Sequence, residues 1–156
     1  MKTKDSMEHD KIIESIYQSN SGIKEHFILK ILGLKSGTFF YMGIREDSRG
    51  KSLEPIILIM DELFTQAEKY GFLNYVFWFK EVTYFGDLGY SIVVGFSGRI
   101  IDKGGKFILI EVNPKIKNVI QIVGLDDLLP IYNSEEEFIK EMNKWNYLVL
   151  LDTKRT

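Results

Sequence analysis

The residue types that could carry chemistry are few, and along the chain they do not converge. Gly50-Lys51-Ser52 has the ending of a phosphate-cradling loop, in which glycine backbone N–H groups wrap phosphate oxygens and a lysine neutralises them. That loop also needs a glycine five positions before its second one, and Arg45 stands there, so the segment reads as a solvated turn. Gly86-Asp87-Leu88-Gly89 and Gly95-Phe96-Ser97-Gly98 both lack the three-glycine spacing of a dinucleotide-binding turn. His9 and His26 are the only imidazoles, and no neighbouring carboxylate pair completes a ligand set. Asp126-Asp127 read as turn and cap residues, and Glu135 to Glu137 as the acidic start of a helix, rather than as an acid/base pair. With no cysteine, disulfides and thiolate nucleophiles are excluded. The reading is a non-enzymatic protein with no cofactor and no metal.

Composition narrows the class further. Twenty Lys+Arg against twenty-two Asp+Glu give a formal charge of -2 over 156 residues, so no basic footprint for a nucleic-acid backbone exists. The charged N-terminus, Met1 to Asp10, lacks the apolar core of a signal peptide, and no run approaches the roughly 18 apolar residues of a membrane span. A cytoplasmic protein with no membrane insertion is expected. At 45% hydrophobic residues, a chain of this length suits one domain with a substantial core.

The elements that must position any site follow from periodicity. Asp5 and Glu8 resemble a capping box, and Ile12, Ile13, Ile16 and Tyr17 share one stripe of a helix over about 6 to 19, stopped by Ser19-Asn20-Ser21-Gly22. His26–Gly33 and Thr38–Ile44 form a hairpin about Leu34-Lys35-Ser36-Gly37, and Arg45 to Ser52 is a polar loop. Leu53 to Tyr70 is a helix with Pro55 in its first turn and Ile56, Ile59, Met60, Leu63, Phe64 and Ala67 on its inner side. Leu73–Phe79, almost wholly apolar, reads as a central strand covered on both faces, and Lys106–Val112 repeats that character.

Between those two strands, Ile92-Val93-Val94 favours a strand, but parallel neighbours need a crossover. Topology outranks propensity, so Thr83–Lys103 is read as a helix. Leu88, Ile92, Phe96 and Arg99 then share one side, and Ser91, Gly95, Gly98 and Asp102 form a small-residue side where a strand could approach. A helix over 115–123 carries Ile116, Val119, Ile120 and Val123, and Ser134-Glu135-Glu136-Glu137 caps a last helix with Phe138, Ile139, Met142 and Trp145. The fold class is α/β, a mixed sheet of about four to five strands with helices packed against it and an extra N-terminal helix. Tyr147 to Leu151 is left for a sixth strand or a homodimer contact.

The ordered stretch from Gly104-Gly105 through Asn113-Pro114, Gly124-Leu125-Asp126 and Pro130-Ile131-Tyr132-Asn133-Ser134-Glu135-Glu136-Glu137 resembles the end of the STAS domain of anti-sigma factor antagonists. The element order from His26 to Trp145 fits the same plan. The resemblance implies a STAS-like domain over 25–145, an N-terminal helical extension over 1–24 and a C-terminal extension over 146–156. It also implies a partner, an anti-sigma factor or GHKL-type kinase, which in that family phosphorylates a serine in an Asp-Ser-Ser-Gly-Leu/Val run at a helix start.

Matching that run places Gly86 at the Asp, Asp87 at the phosphorylated Ser, Leu88 at the second Ser, Gly89 at the Gly and Tyr90 at the Leu/Val. Both serines are missing, so the usual switch, which adds charge at this position, is unavailable there. Asp87 has two readings: a helix N-cap, or a permanent partial mimic of the phosphorylated state with less charge than phosphate. Tyr90 is a contact anchor or a core aromatic, and Glu46 and Asp47 belong to the loop that flanks the same surface. The expected site is therefore a partner-binding surface of Gly86, Asp87, Leu88, Gly89, Tyr90, Glu46 and Asp47. Two alternatives remain: a STAS subunit of a transporter or signalling scaffold, and a small-ligand-binding STAS protein with a pocket at the C-terminal edge of the sheet.

Overall fold

A computed structural model describes residues 4–45, 53–80, 82 and 86–144. The chain runs α1 (Lys4–Ser19), α2 (Ser21–His26), β1 (Phe27–Leu34), β2 (Gly37–Ile44), α3 (Leu53–Lys69), β3 (Asn74–Trp78), α4 (Gly86–Asp102), β4 (Lys106–Ile110), α5 (Pro114–Ile122) and β5 (Ile131–Tyr132). Residues 135–144 form a final helix, α6. The strands lie in the order β1-β2-β3-β4-β5, with β1 antiparallel to β2 and every other pair parallel. This is the mixed α/β sheet expected, with β3 at its centre.

Strand alternation divides the core in two. Phe27, Leu29, Phe40, Met42, Tyr75, Phe77, Phe107 and Leu109 face the first layer, which includes Ile16 of α1, Ile23 of α2, and the inner sides of α3, α4 and α5. Phe39, Tyr41, Val76, Ile108 and Ile110 face the other way and meet only Phe138 and Met142 among the buried apolar residues described. Five helices thus cover one face and α6 part of the other. The first layer is rich in rings: Phe64 of α3 stacks on Phe96 of α4 at 4.2 Å between centroids, a stacked arrangement that adds to area burial.

The crossover between β3 and β4 is helical, as topology required. Its buried residues are Gly89, Val93, Phe96, Ser97 and Ile100, which corrects the predicted inner side. Ser91 and Gly95 face solvent, and nothing lies within 4 Å of where a Cβ on Gly95 or Gly98 would stand. Large side chains, not a small-residue stripe, make the contact, because α3 shares this face and the space between them is filled by phenyl rings. The stripe on α5 splits likewise: Ile116 and Ile120 are buried, whereas Val119 and Val123 are exposed.

Three further differences have local causes. Helix α1 already includes Lys4, so Asp5 lies within the helix rather than at a cap position. The expected stop Ser19-Asn20-Ser21-Gly22 instead leads into α2, which Asn20 N-caps by accepting the Gly22 N–H at 2.8 Å. Gly22 lies close against α3, where a Cβ would stand 2.7 Å from Ile59 Cδ1 and push that side-chain end aside. Strand β4 ends at Ile110, where Glu111 takes φ +54°. Trp145 and Tyr147 to Leu151 lie outside the described residues, and no described helix is long and apolar enough to cross a membrane.

Candidate functional site

Strands β2 to β5 run parallel, so their C-terminal ends form one edge, marked by the register row Gly43, Trp78, Ile110 and Tyr132. Open α/β sheets place ligands and contacts at this edge, because the chain leaves each strand there before folding back. Helix α4 begins at this end. Gly86 opens it at φ +74°, a backbone conformation that favours glycine. Asp87 is the second residue of the helix and is exposed. It lies within the first turn rather than at the preceding cap position, so what it offers the helix is a negative charge at the positive end of the dipole.

Leu88 beside it is 43% exposed, an aliphatic side chain held at the surface next to that charge. Gly89 is buried, and Tyr90 is half-buried against the first core layer. Burial raises the Tyr90 phenol above its ordinary value, so it stays neutral as packing residue and hydrogen-bonding group alike. The structure therefore separates the predicted set: Asp87 and Leu88 face outward, Gly89 inward, and Tyr90 spans the two. Glu46 and Asp47 lie outside the described residues; Arg45 before them is fastened by its N–H to His26 O at 2.7 Å and by Nε to Lys24 O at 2.8 Å.

A second group of residues, not anticipated from the sequence, lies at the same edge on the opposite face of the sheet. Helix α6 covers that face only in part, and beyond its first turn opens a pocket lined by Ile28, Lys30, Tyr41, Trp78, Lys80, Ile110, Glu111 and Glu135. Gly43 is what lets the Trp78 indole lie across the sheet, since a Cβ there would stand 2.7 Å from Trp78 Cε3. The indole N–H donates to Glu111 Oε2. Glu111 is the one non-glycine residue with positive φ among those described, a sparsely populated conformation that persists where its surroundings hold it.

Lys30 Nζ donates to Glu135 Oε1 at 2.8 Å and stands 4.4 Å from the Tyr41 ring centroid, while Lys80 Nζ lies 5.9 Å from that of Trp78. The Tyr41 phenol is pushed well above its ordinary value, first by burial and then by the nearby Glu135 and Glu111. In the sequence Glu135 reads only as part of a helix start. That role is real, with Ser134 Oγ accepting the Glu137 N–H at 3.1 Å and Glu137 Oε2 accepting the Asn133 N–H at 3.2 Å. The ion pair to Lys30 spans 105 positions along the chain, and no local pattern signals it.

The comparisons with known proteins bear on this geometry. A family model described as STAS domain matches residues 39–138. This chain belongs to the STAS family. The solved STAS structures it resembles include an anti-sigma-factor antagonist (STAS) domain protein from Planctomyces limnophilus, 19% identical, with a TM-score of 0.59 over 74% of this chain and 97% of that one. A putative anti-sigma factor antagonist from Thermotoga maritima is 15% identical, with a TM-score of 0.56 over 74% of this chain and 94% of that one. The Bacillus cell fate determinant SpoIIAA in its phosphorylated form is 16% identical, with a TM-score of 0.56 over 73% and 98%. At these identities the likeness is one of fold. No curated protein matches this chain. The STAS match begins inside β2, so α1, α2 and β1 stand before it.

Proposed function

We propose that this STAS domain is a non-enzymatic docking module of the anti-sigma factor antagonist kind, which binds a regulatory partner through the start of α4. The observation that carries the reading is the exposed pair Asp87 and Leu88 at the C-terminal edge of the sheet, matched with the family's phosphoserine motif. A carboxylate fixed there supplies part of the charge that phosphorylation would add, without a kinase and without reversal. The neighbouring leucine supplies apolar contact area of the sort that partner surfaces bury. An anti-sigma factor or GHKL-type kinase is the partner this reading names, in the cytoplasm.

Affinity capture from native lysate with the wild-type chain and with Asp87→Ser, followed by mass spectrometry and phosphate analysis of both baits, tests this. The expected result is a GHKL-type kinase held weakly by the wild type and more strongly by Asp87→Ser, with phosphate appearing on the substituted serine. Retention of transporter or scaffold subunits alone, unchanged by the substitution, would mean that Asp87 only complements the helix dipole.

A further inference from the structure

The pocket on the second face of the sheet lies apart from α4 and plays no part in the docking reading. It is an open cleft of about 260 Å³, below the roughly 300–1,000 Å³ of sites for drug-sized ligands, which suits a molecule of one or two rings. Its apolar surface is Trp78, Tyr41, Ile28 and Ile110, so a planar hydrocarbon body would lie against aromatic and branched side chains. The indole is held in orientation on both sides, by Gly43 beneath it and by Glu111 on its N–H.

The polar groups decide the charge of the occupant. Both acids among the described lining residues already have a partner within the protein: Glu135 accepts from Lys30, and Glu111 accepts from Trp78. A cationic ligand would have to share these carboxylates with the protein donors already on them, since each keeps a second oxygen. It would also meet the chain's own ammonium groups, which already lie against the two ring systems. The ammonium groups, in contrast, have donors to spare, since each carries three and the bond to Glu135 uses one on Lys30. Among the described residues, no carboxylate lies within ion-pair distance of Lys80. Tyr41, held neutral, adds a phenolic O–H to the same lining.

We propose that this pocket binds a small aromatic carboxylate, with its ring against Trp78 and its carboxylate at Lys80. Lys30, anchored by Glu135, gives the second positive charge at the site. The inference is independent of the partner reading, because none of the residues involved belongs to the start of α4.

The test is titration of the full-length chain with 2-naphthoate, 2-naphthamide and 2-naphthylmethylammonium, followed through the Trp78 indole N–H resonance in nitrogen-15 correlation spectra. The resonance is assigned by comparison with Trp145→Phe, since the chain has two tryptophans. The expected result is a saturable shift with 2-naphthoate and binding at least about fivefold weaker for the amide, the loss of one charge-assisted contact. Lys80→Gln, on an exposed residue that leaves the core intact, weakens naphthoate binding by a similar factor, and Asp87→Ser leaves it unchanged. Equal binding of the amide or the ammonium compound, indifference to Lys80→Gln, or no saturable shift with any probe would overturn the proposal.

Discussion

The hydroxyl of Tyr17 on α1 accepts the Leu29 N–H of β1 at 3.0 Å and donates to the Phe27 carbonyl at 3.4 Å. One side chain thus serves two backbone groups on the outer edge of the sheet. The register explains why they need it. Arg45 N–H bonds to His26 O, so in the antiparallel β1–β2 pair the N–H and C=O groups of residues 27, 29 and 31 point away from β2. An edge strand with such groups open is a template for unwanted pairing, and α1 closes its first half.

Tyr17→Phe removes this closure while keeping the ring. The expected cost is about 1–2 kcal/mol, the range for leaving partly buried backbone groups without a partner. It should be read as a lower urea midpoint at unchanged m-value. An unchanged midpoint would show that water serves these groups equally well.

Gly105 gives a sharper steric test. A Cβ at this position would stand 1.9 Å from the Leu73 carbonyl oxygen and 2.7 Å from Ile100 Cγ2. The backbone here is fixed on both sides, by Gly105 N–H to Ile100 O at 2.8 Å and Lys106 N–H to Leu73 O at 3.1 Å. Gly105→Ala should therefore cost about 3 kcal/mol, the upper part of the usual overpacking range. Gly95→Ala, on the open side of α4, should stabilise slightly, by about 0.5–1 kcal/mol, because the helix loses a flexible residue without meeting a neighbour. Equal effects at the two glycines in thermal unfolding would contradict this packing.

The contrast between those glycines also shows what was legible in the sequence. Element identity was, because hydrophobic period and turn residues are local: β3 reads as a doubly covered strand, and Ser134 to Glu137 as a capping box, from a handful of neighbours. The helical crossover over α4 came from topology, against the β-branched run Ile92-Val93-Val94. Which side of α4 turns inward was not legible, since Phe64 of α3 chooses it by stacking on Phe96. Nor was α2, whose six residues contain a glycine that reads as a breaker until Ile59 is placed against it. The second-face pocket joins residues from β1, β2, β3, β4 and the start of α6, and only the folded sheet brings them together.

Two buried tyrosines predict a weakness at high pH. Burial raises the Tyr75 phenol, with Glu68 adding to the effect and Arg99 opposing it; its hydroxyl donates to Phe72 O at 2.7 Å. Tyr41 is raised in the same direction. Above the ordinary phenol value of about 10, the unfolded chain releases these protons while the folded chain retains them. The unfolded state then binds fewer protons, so stability falls as pH rises through this range and is unaffected by these groups below it. Phenolate absorbance measured with far-ultraviolet circular dichroism should show at least two of the eight tyrosines ionising only as helix and sheet are lost. Complete ionisation of all tyrosines before unfolding would contradict their burial.

The last helix allows backbone capping to be weighed against surface charge. Ser134 Oγ accepts the Glu137 N–H, a donor that α6 cannot pair within itself, and Glu137 Oε2 accepts the Asn133 N–H just before the helix. Ser134→Ala should cost about 1 kcal/mol, as loss of an N-cap does. Glu135→Ala breaks the ion pair with Lys30, but with the two side chains 44% and 35% exposed solvent screens it, and the cost should stay within about 0.5 kcal/mol. The two effects should also respond differently to salt. Raising ionic strength should shrink the Glu135 effect and leave the Ser134 effect in place, because a neutral hydroxyl cap is not screened. Chemical unfolding of both variants in urea at low and high salt decides it, and a larger, salt-insensitive loss at Glu135 would mean that the Lys30 pair, not the cap, holds α6 over Phe39 and Val76.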